Sequence, residues 1–256
     1  MFTSIGFIGS GRVARIMLDG WTRAGGLPAA IYLHDQSEAA VRALVAAHPA
    51  ARGATLVEAS SADLVFGALH PPALLETLPA IAPALKPAAV FCSLAPKLKL
   101  ATLREKLNGF ARLARMNPNA PSIVDAGFNP VAFAGELPAE ARRDLLAIMA
   151  PLGQSPEVDE RLIETYAVIS AMGPTYFWFQ FDAVRRMAES FGLAPEAARQ
   201  TVAAMLHGAV DALLSNALPE RVVMDLVPVR PMAEDEPAIG KMIEQRLGAI
   251  HAKLAA

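Results

Sequence analysis

Cysteine is nearly absent from this chain. Cys92 is the only one in 256 residues, which excludes an internal disulfide framework and a thiolate zinc cage. The five histidines contain no pair at metal-ligand spacing, so no catalytic metal is expected. Neither sign of charge is in excess. With 23 basic and 25 acidic residues the formal net charge is −2, and there is no basic run and no acidic tail; nucleic acid and anionic membrane are not expected partners. The N-terminus lacks a basic region followed by an apolar core. The most apolar stretch, Tyr166 to Val184, is broken by Gly173-Pro174 and carries Gln180 and Asp182. A membrane span needs about 20 mostly apolar residues, so this stretch reads as a buried helix. A cytoplasmic protein acting on a small molecule is the expectation.

What the chain has is apolar residues, 54% of the total, ample for a core. Short apolar runs at 3–8, 31–33, 55–57, 64–69, 89–94 and 111–116 read as strands, and helical spacing fills the intervals. Runs such as Leu64-Val65-Phe66-Gly67 are apolar at every position, as in strands buried on both faces of a parallel sheet. Strand–helix alternation predicts such a sheet with right-handed crossovers. From Glu160 onward only helical periodicity remains, with Gly192 closing one helix and Pro195 opening the next. The expected organisation is an α/β domain over 1–158 and an all-helical domain over 159–256.

Gly9-Ser10-Gly11-Arg12-Val13-Ala14 matches G-x-G-x-x-G/A between the first strand and the first helix. Gly9 permits the tight turn, Gly11 lets the backbone approach a diphosphate, and Ala14 lets the helix sit close to the strand. Free amides at the helix start then meet the phosphate charge. The pattern and its context predict a doubly wound, Rossmann-type domain binding NAD or NADP. Asp35 ends the second strand, 21 residues after Ala14. An acidic residue there accepts hydrogen bonds from the adenosine ribose and favours NAD; alternatively Asp35 is a loop residue and Ser37 caps the next helix.

Five segments, in order, resemble the pyrroline-5-carboxylate reductase family. Gly6-Phe7-Ile8-Gly9-Ser10-Gly11-Arg12-Val13-Ala14 resembles its G-F-I-G-x-G-x-M-A, and Ala68-Leu69-His70-Pro71 its A-V-K-P. Ser93-Leu94-Ala95 with Leu98, Leu100 and Leu103 resembles its S-I-A-x-G-V-T-L-x-x-L. Arg115-Met116-Asn117-Pro118-Asn119-Ala120-Pro121 resembles its R-x-M-P-N-T-P, and Ser170-Ala171-Met172-Gly173-Pro174-Thr175-Tyr176 its S-G-S-G-P-A-Y. The resemblance implies a reductase of proline biosynthesis that passes hydride from a nicotinamide to a cyclic imine, with a helical C-terminal domain interlocking in a homodimer. It implies that Leu69, His70, Pro71, Pro118 and Asn119 border the nicotinamide half of the cofactor, and that Ser170, Thr175 and Tyr176 face substrate as catalytic candidates. The departures are Lys97 for a glycine, Asn117 for a methionine, and Ala171 and Met172 within the second-domain motif. The family's P-G-G-T-T is absent: after Asp225-Leu226-Val227 the chain reads Pro228-Val229-Arg230-Pro231-Met232-Ala233. In the family that loop holds the substrate carboxylate.

Other residues carry weaker signals. His34 and His207 read as a surface and a structural histidine, Arg230 as a loop arginine able to pair a carboxylate, and Cys92 as an inert strand residue. The aromatic run Tyr176 to Phe181 reads as core or dimer interface. Two alternatives stand beside the imine reductase. One is a β-hydroxyacid-dehydrogenase-like enzyme, against which the helix after Gly173 lacks the required lysine. The other is a non-catalytic NAD(P)-binding sensor or scaffold.

Overall fold

A computed structural model gives the architecture and describes residues 1–215 and 217–255. Strands and helices alternate: β1 (Ser4–Ile8), α1 (Arg12–Arg23), β2 (Ala30–His34), α2 (Glu38–Ala47), β3 (Ala51–Gly53), α3 (Leu56–Ser60), β4 (Leu64–Gly67), α4 (Pro71–Ile81), β5 (Val90–Ser93), α5 (Leu100–Lys106) and β6 (Leu113–Met116). β7 (Gly127–Phe128), β8 (Val131–Phe133), α6 (Ala139–Met149), β9 (Gly153–Gln154) and α7 (Ile163–Tyr166) follow, and a π-helical turn spans Ala167–Ala171. Then come α8 (Pro174–Ser190), α9 (Pro195–Leu214), α10 (Glu220–Met224) and α11 (Glu236–Ala255).

The main sheet has seven strands in the order β3-β2-β1-β4-β5-β6-β8, all parallel except β8, which runs antiparallel to β6. The order reverses between β1 and β4, the crevice where doubly wound sheets bind ligands. Side chains alternate across the sheet with the strand period of two. Ile5, Phe7, Leu64, Phe66, Val90 and Cys92 join one core with Met17, Leu18 and Trp21 of α1 and Leu145 and Met149 of α6. Ile8, Val65 and Phe91 join the opposite core with Leu74 and Leu78 of α4 and Leu103 of α5. Each large apolar side chain so buried contributes about 1.5–3 kcal/mol. Trp21 also donates its indole N–H to the Ile148 carbonyl at 2.9 Å, tying α1 to the end of α6.

Two local expectations are corrected. The strand expected at 55–57 is the start of α3. Thr55 Oγ1 accepts from the Glu58 amide at 3.2 Å while the Glu58 carboxylate accepts from the Thr55 amide at 2.8 Å, a reciprocal cap that commits the segment to helix. The strand lies earlier, at β3. The antiparallel β8 was not read from the sequence, its three residues being too short for a visible alternation.

Contacts divide the chain into two compact units, Met1–Met172 with the C-terminal segment from Ile250, and Gly173–Ala249. The second is helical, with α8 and α10 packed on α9. Among the described residues no helix is long and apolar enough to cross a membrane.

Candidate active site

The glycine turn lies at the C-terminal end of β1, flanked by the ends of β2 and β4. Gly9 has φ +109°, and a Cβ there would stand 2.7 Å from the Ala68 carbonyl carbon and oxygen and 2.9 Å from the Leu69 amide. Only glycine fits that conformation and that gap. The Gly9 amide donates to the His34 carbonyl at 2.8 Å, and the Ala68 amide to Ile8 at 2.8 Å, locking the turn to both neighbouring strands. Gly11, the N-cap of α1, has an ordinary φ of −86°, and no atom lies within 4 Å of where its Cβ would be. Its lack of a side chain therefore answers to no internal packing; it leaves the turn open outward. Ala14 is fully buried in the core.

Two helix starts face this crevice, and they differ. α1 begins with Arg12 and Val13, whose amides have no partner within the helix. α4 begins with Pro71 and Pro72, which have no N–H to offer. An anion is thus directed to α1, where the dipole and free amides act together. Arg12 and Gly11 are exposed there, and Val13 is half-buried. These features fit a dinucleotide diphosphate. Leu69 is half-buried and His70 exposed at the end of β4, with His70 as N-cap of α4 making no side-chain cap.

Asp35 carries more than a sequence motif discloses. Its Oδ2 accepts the Ser10 amide and its Oδ1 the Ser37 amide, both at 2.8 Å. The Ser10 amide, a candidate donor to phosphate, is therefore used internally. Ser10 itself is buried, with Oγ 3.4 Å from the His34 carbonyl.

At the end of β6 three alternate residues form a buried polar ladder; Asn119 is the residue expected at the cofactor, and the pairing through Arg115 is what sequence reasoning missed. Arg115 is 1% exposed and bonds Glu160 at 3.0 Å and Glu164 at 2.5 Å. Asn117 donates to the Ile163 carbonyl. Asn119 donates to the Ser170 carbonyl at 3.3 Å and accepts the Phe128 amide at 2.9 Å. Glu164 and Glu160 also receive the Lys97 and Leu100 amides, at 3.3 and 2.6 Å, fastening the β5–α5 loop. Lys97 adopts φ +71°, a conformation natural to the glycine it replaces and about 1–2 kcal/mol unfavourable for a side chain. The signal was present as polar residues at every second position of an otherwise apolar strand end, followed by glutamates four apart.

The ladder brings Asn119 and Ser170 together. Ser170 lies in the π-helical turn, a geometry frequent at functional sites. Its hydroxyl donates to the Tyr166 carbonyl at 2.8 Å. Thr175, exposed, and Tyr176, half-buried, open α8 in the second unit. Burial pushes the Tyr176 phenol above its ordinary pKa. Arg230 is ion-paired with Glu236, and burial raises the Cys92 thiol pKa, leaving it inert.

The comparisons with known proteins agree with this geometry. A family described as NADP oxidoreductase coenzyme F420-dependent matches residues 4–96. Pyrroline-5-carboxylate reductase of Pseudomonas aeruginosa is 30% identical over 218 residues, covering 83% of this chain and 78% of that protein. The Escherichia coli enzyme of the same name is 27% identical over 233 residues, covering 89% and 85%. The crystal structure of Plasmodium falciparum pyrroline carboxylate reductase with NADP bound superposes with a TM-score of 0.84 at 17% identity, covering 99% of this chain and 97% of that one. With its glycine turn at the switch point, its parallel sheet and this extent of identity, the chain belongs to the pyrroline-5-carboxylate reductase family of NAD(P)-dependent oxidoreductases.

Proposed function

We propose that this chain reduces a small cyclic imine with NADH or NADPH, acting as a cytoplasmic homodimer. The observation that carries the reading is the open glycine turn beside an α1 start with free amides, at the reversal of strand order. The dinucleotide, when bound, supplies hydride from its nicotinamide ring. The chain's residues bind, orient and protonate. The α1 amides with Arg12 hold the diphosphate, Asp35 addresses the adenosine ribose, and Leu69, His70, Pro71 and Asn119 border the nicotinamide half. Hydride adds to the imine carbon, the C=N π pair moves to nitrogen, and nitrogen takes a proton to give the secondary amine. Tyr176, whose phenol stands at the motif position that faces substrate in the family, is the favoured proton donor. The Ser170 hydrogen is engaged by Tyr166, so its oxygen serves as an acceptor for the N–H of the amine formed, with the exposed Thr175 hydroxyl as a further contact.

The second unit supports the dimer. Phe179, Phe191 and Leu214 are 65%, 77% and 76% exposed, and helices this apolar on their outer faces need a covering surface. Light scattering at micromolar concentration tests this; a monomer contradicts it.

Loss of nicotinamide absorbance with a panel of cyclic imines, differing in ring size and in the presence of a carboxylate, tests the activity. Turnover of a panel member supports the proposal. Tight nicotinamide binding with no turnover of any imine favours the second reading, a non-catalytic sensor. The motive for that reading is Pro228 to Ala233, standing where the family's glycine-threonine loop would hold a carboxylate.

A further inference from the structure

The two nicotinamide dinucleotides differ by a phosphate on the adenosine ribose, and the end of β2 is where a doubly wound domain meets that group. Here β2 and the glycine turn are cross-linked. The Gly9 amide donates to His34 at 2.8 Å, the Ser10 amide to Asp35 Oδ2 at 2.8 Å, and the Ser37 amide to Asp35 Oδ1 at 2.8 Å. One amide on each oxygen pins the Asp35 carboxylate between the turn and the N-cap of α2, so it has no freedom to swing aside. Each oxygen accepts one backbone amide and has a further lone pair for a second bond, which matches the two hydroxyls of an unmodified ribose.

A 2′-phosphate would meet three obstacles. The fixed carboxylate repels it. The start of α2, otherwise a place for an anion, has two of its amides engaged and opens with the acidic Glu38: Asp35 takes the Ser37 amide, and Ser37 takes the Ala40 amide through its carbonyl at 3.0 Å and its hydroxyl at 3.3 Å. The arginines of α2 and β3 have other partners, Arg42 an exposed ion pair with Glu38 at 2.9 Å and Arg52 the Tyr32 ring at 4.2 Å. His34 has its Nδ1 against the Ala54 carbonyl at 3.2 Å. Arg12 stands on α1, beside the amides that face the diphosphate.

Resting on the nicotinamide-dependent function above, we propose that this chain selects NAD(H) over NADP(H), and that Asp35 is the discriminating residue. It accepts from the ribose hydroxyls and rejects a 2′-phosphate.

The test is direct binding to the purified full chain, followed by nucleotide fluorescence with NADH and NADPH and by competition with 5′-ADP and 2′,5′-ADP. A dianion held about 4 Å from a fixed unit charge predicts at least a roughly tenfold tighter NADH complex. Asp35→Asn removes the charge and keeps one acceptor oxygen. It should draw the NADPH-to-NADH affinity ratio toward one, mainly by strengthening NADPH, with 2′,5′-ADP changing in parallel. Equal binding or tighter NADPH binding by the unmodified chain overturns the proposal, as does an unchanged ratio in a folded variant. If the variant fails to fold by circular dichroism, the ratios of the unmodified chain for both nucleotide pairs decide. If neither dinucleotide binds, the proposed function itself fails and the preference falls with it.

Discussion

Two glycines two positions apart should respond oppositely to the same added methyl group. At Gly9 an alanine is forced to φ +109° with its Cβ 2.7 Å from the Ala68 carbonyl. The conformation costs about 1–2 kcal/mol, and overpacking against backbone about 1–3 kcal/mol more. The sum, about 2–5 kcal/mol, lowers the melting temperature by about 4–20 °C at about 2–4 °C per kcal/mol. At Gly11 an alanine adopts φ −86° without strain and meets no atom within 4 Å. A small gain from lost unfolded-state freedom, about 0.4–1 kcal/mol, offsets a small loss of N-cap preference, about 0.5–1 kcal/mol, so stability should hold. Its methyl group, however, projects into the space assigned to the diphosphate, and NADH affinity should fall at least tenfold, by about 1.4 kcal/mol or more. Thermal melts with and without NADH read both effects: Gly9→Ala melts early, while Gly11→Ala melts normally but loses the ligand-induced shift. Wild-type NADH affinity in Gly11→Ala would refute the placement of the diphosphate.

Arg115→Met should cost about 3–5 kcal/mol, because Glu160 and Glu164 lose the cation between them; Asn117→Met, removing one neutral hydrogen bond, should cost about 1 kcal/mol. Denaturant melts compare the two, and equal costs would refute the view of the arginine as the hub. Tyr176→Phe should lower kcat at least tenfold and leave NADH binding unchanged, as expected for a protonated phenol acting on substrate; an unchanged kcat removes Tyr176 as proton donor. Burial acts to raise the Asp63 pKa, but hydrogen bonds from Lys86 and Thr3 outweigh it and hold the carboxyl well below the usual range. Its stabilisation is therefore present above the unfolded pKa of about 3.9 and fades as pH falls toward the folded value. Lys86→Met should cost about 0.5–1 kcal/mol at neutral pH, given half exposure of the lysine, with the gap closing below about pH 3; a gap constant with pH contradicts the assignment.

The parallel sheet and the glycine turn were legible because both are written in local pattern. Buried strands such as β4 are apolar at every position, and β5 is so up to its last residue, Ser93; Gly9 and Gly11 mark backbone that side chains cannot share. The α3 error had a visible remedy, since Thr55 and Glu58 stand at capping-box spacing; three β-compatible residues outweighed a cap whose strength lies in side-chain to backbone bonds. β8 was invisible because three residues that pair backward onto β6 derive their strand character from that partner.

The candidate residues carry less information in the sequence about how their polar groups are used, and Asp35, Asn119 and Ser170 show the reason. Each was picked out for a polar group offered to a ligand, yet each spends part of that group on the chain itself: Asp35 on two amides, Asn119 on the Phe128 amide and Ser170 carbonyl, Ser170 on Tyr166. A motif records which atoms are present and leaves out which lone pairs are already taken. Part of that accounting is local, as in Ser170 on Tyr166 and the Ser37 amide on Asp35, and part follows from pairs as far as 51 residues apart, which no local window reaches. It also has a chemical consequence. A polar group tethered by its own fold reaches a ligand already oriented, so less freedom is lost on binding and discrimination between close analogues sharpens. The internal bonds of Asp35 and Asn119 are thus compatible with the proposed roles: they fix where the remaining lone pairs point.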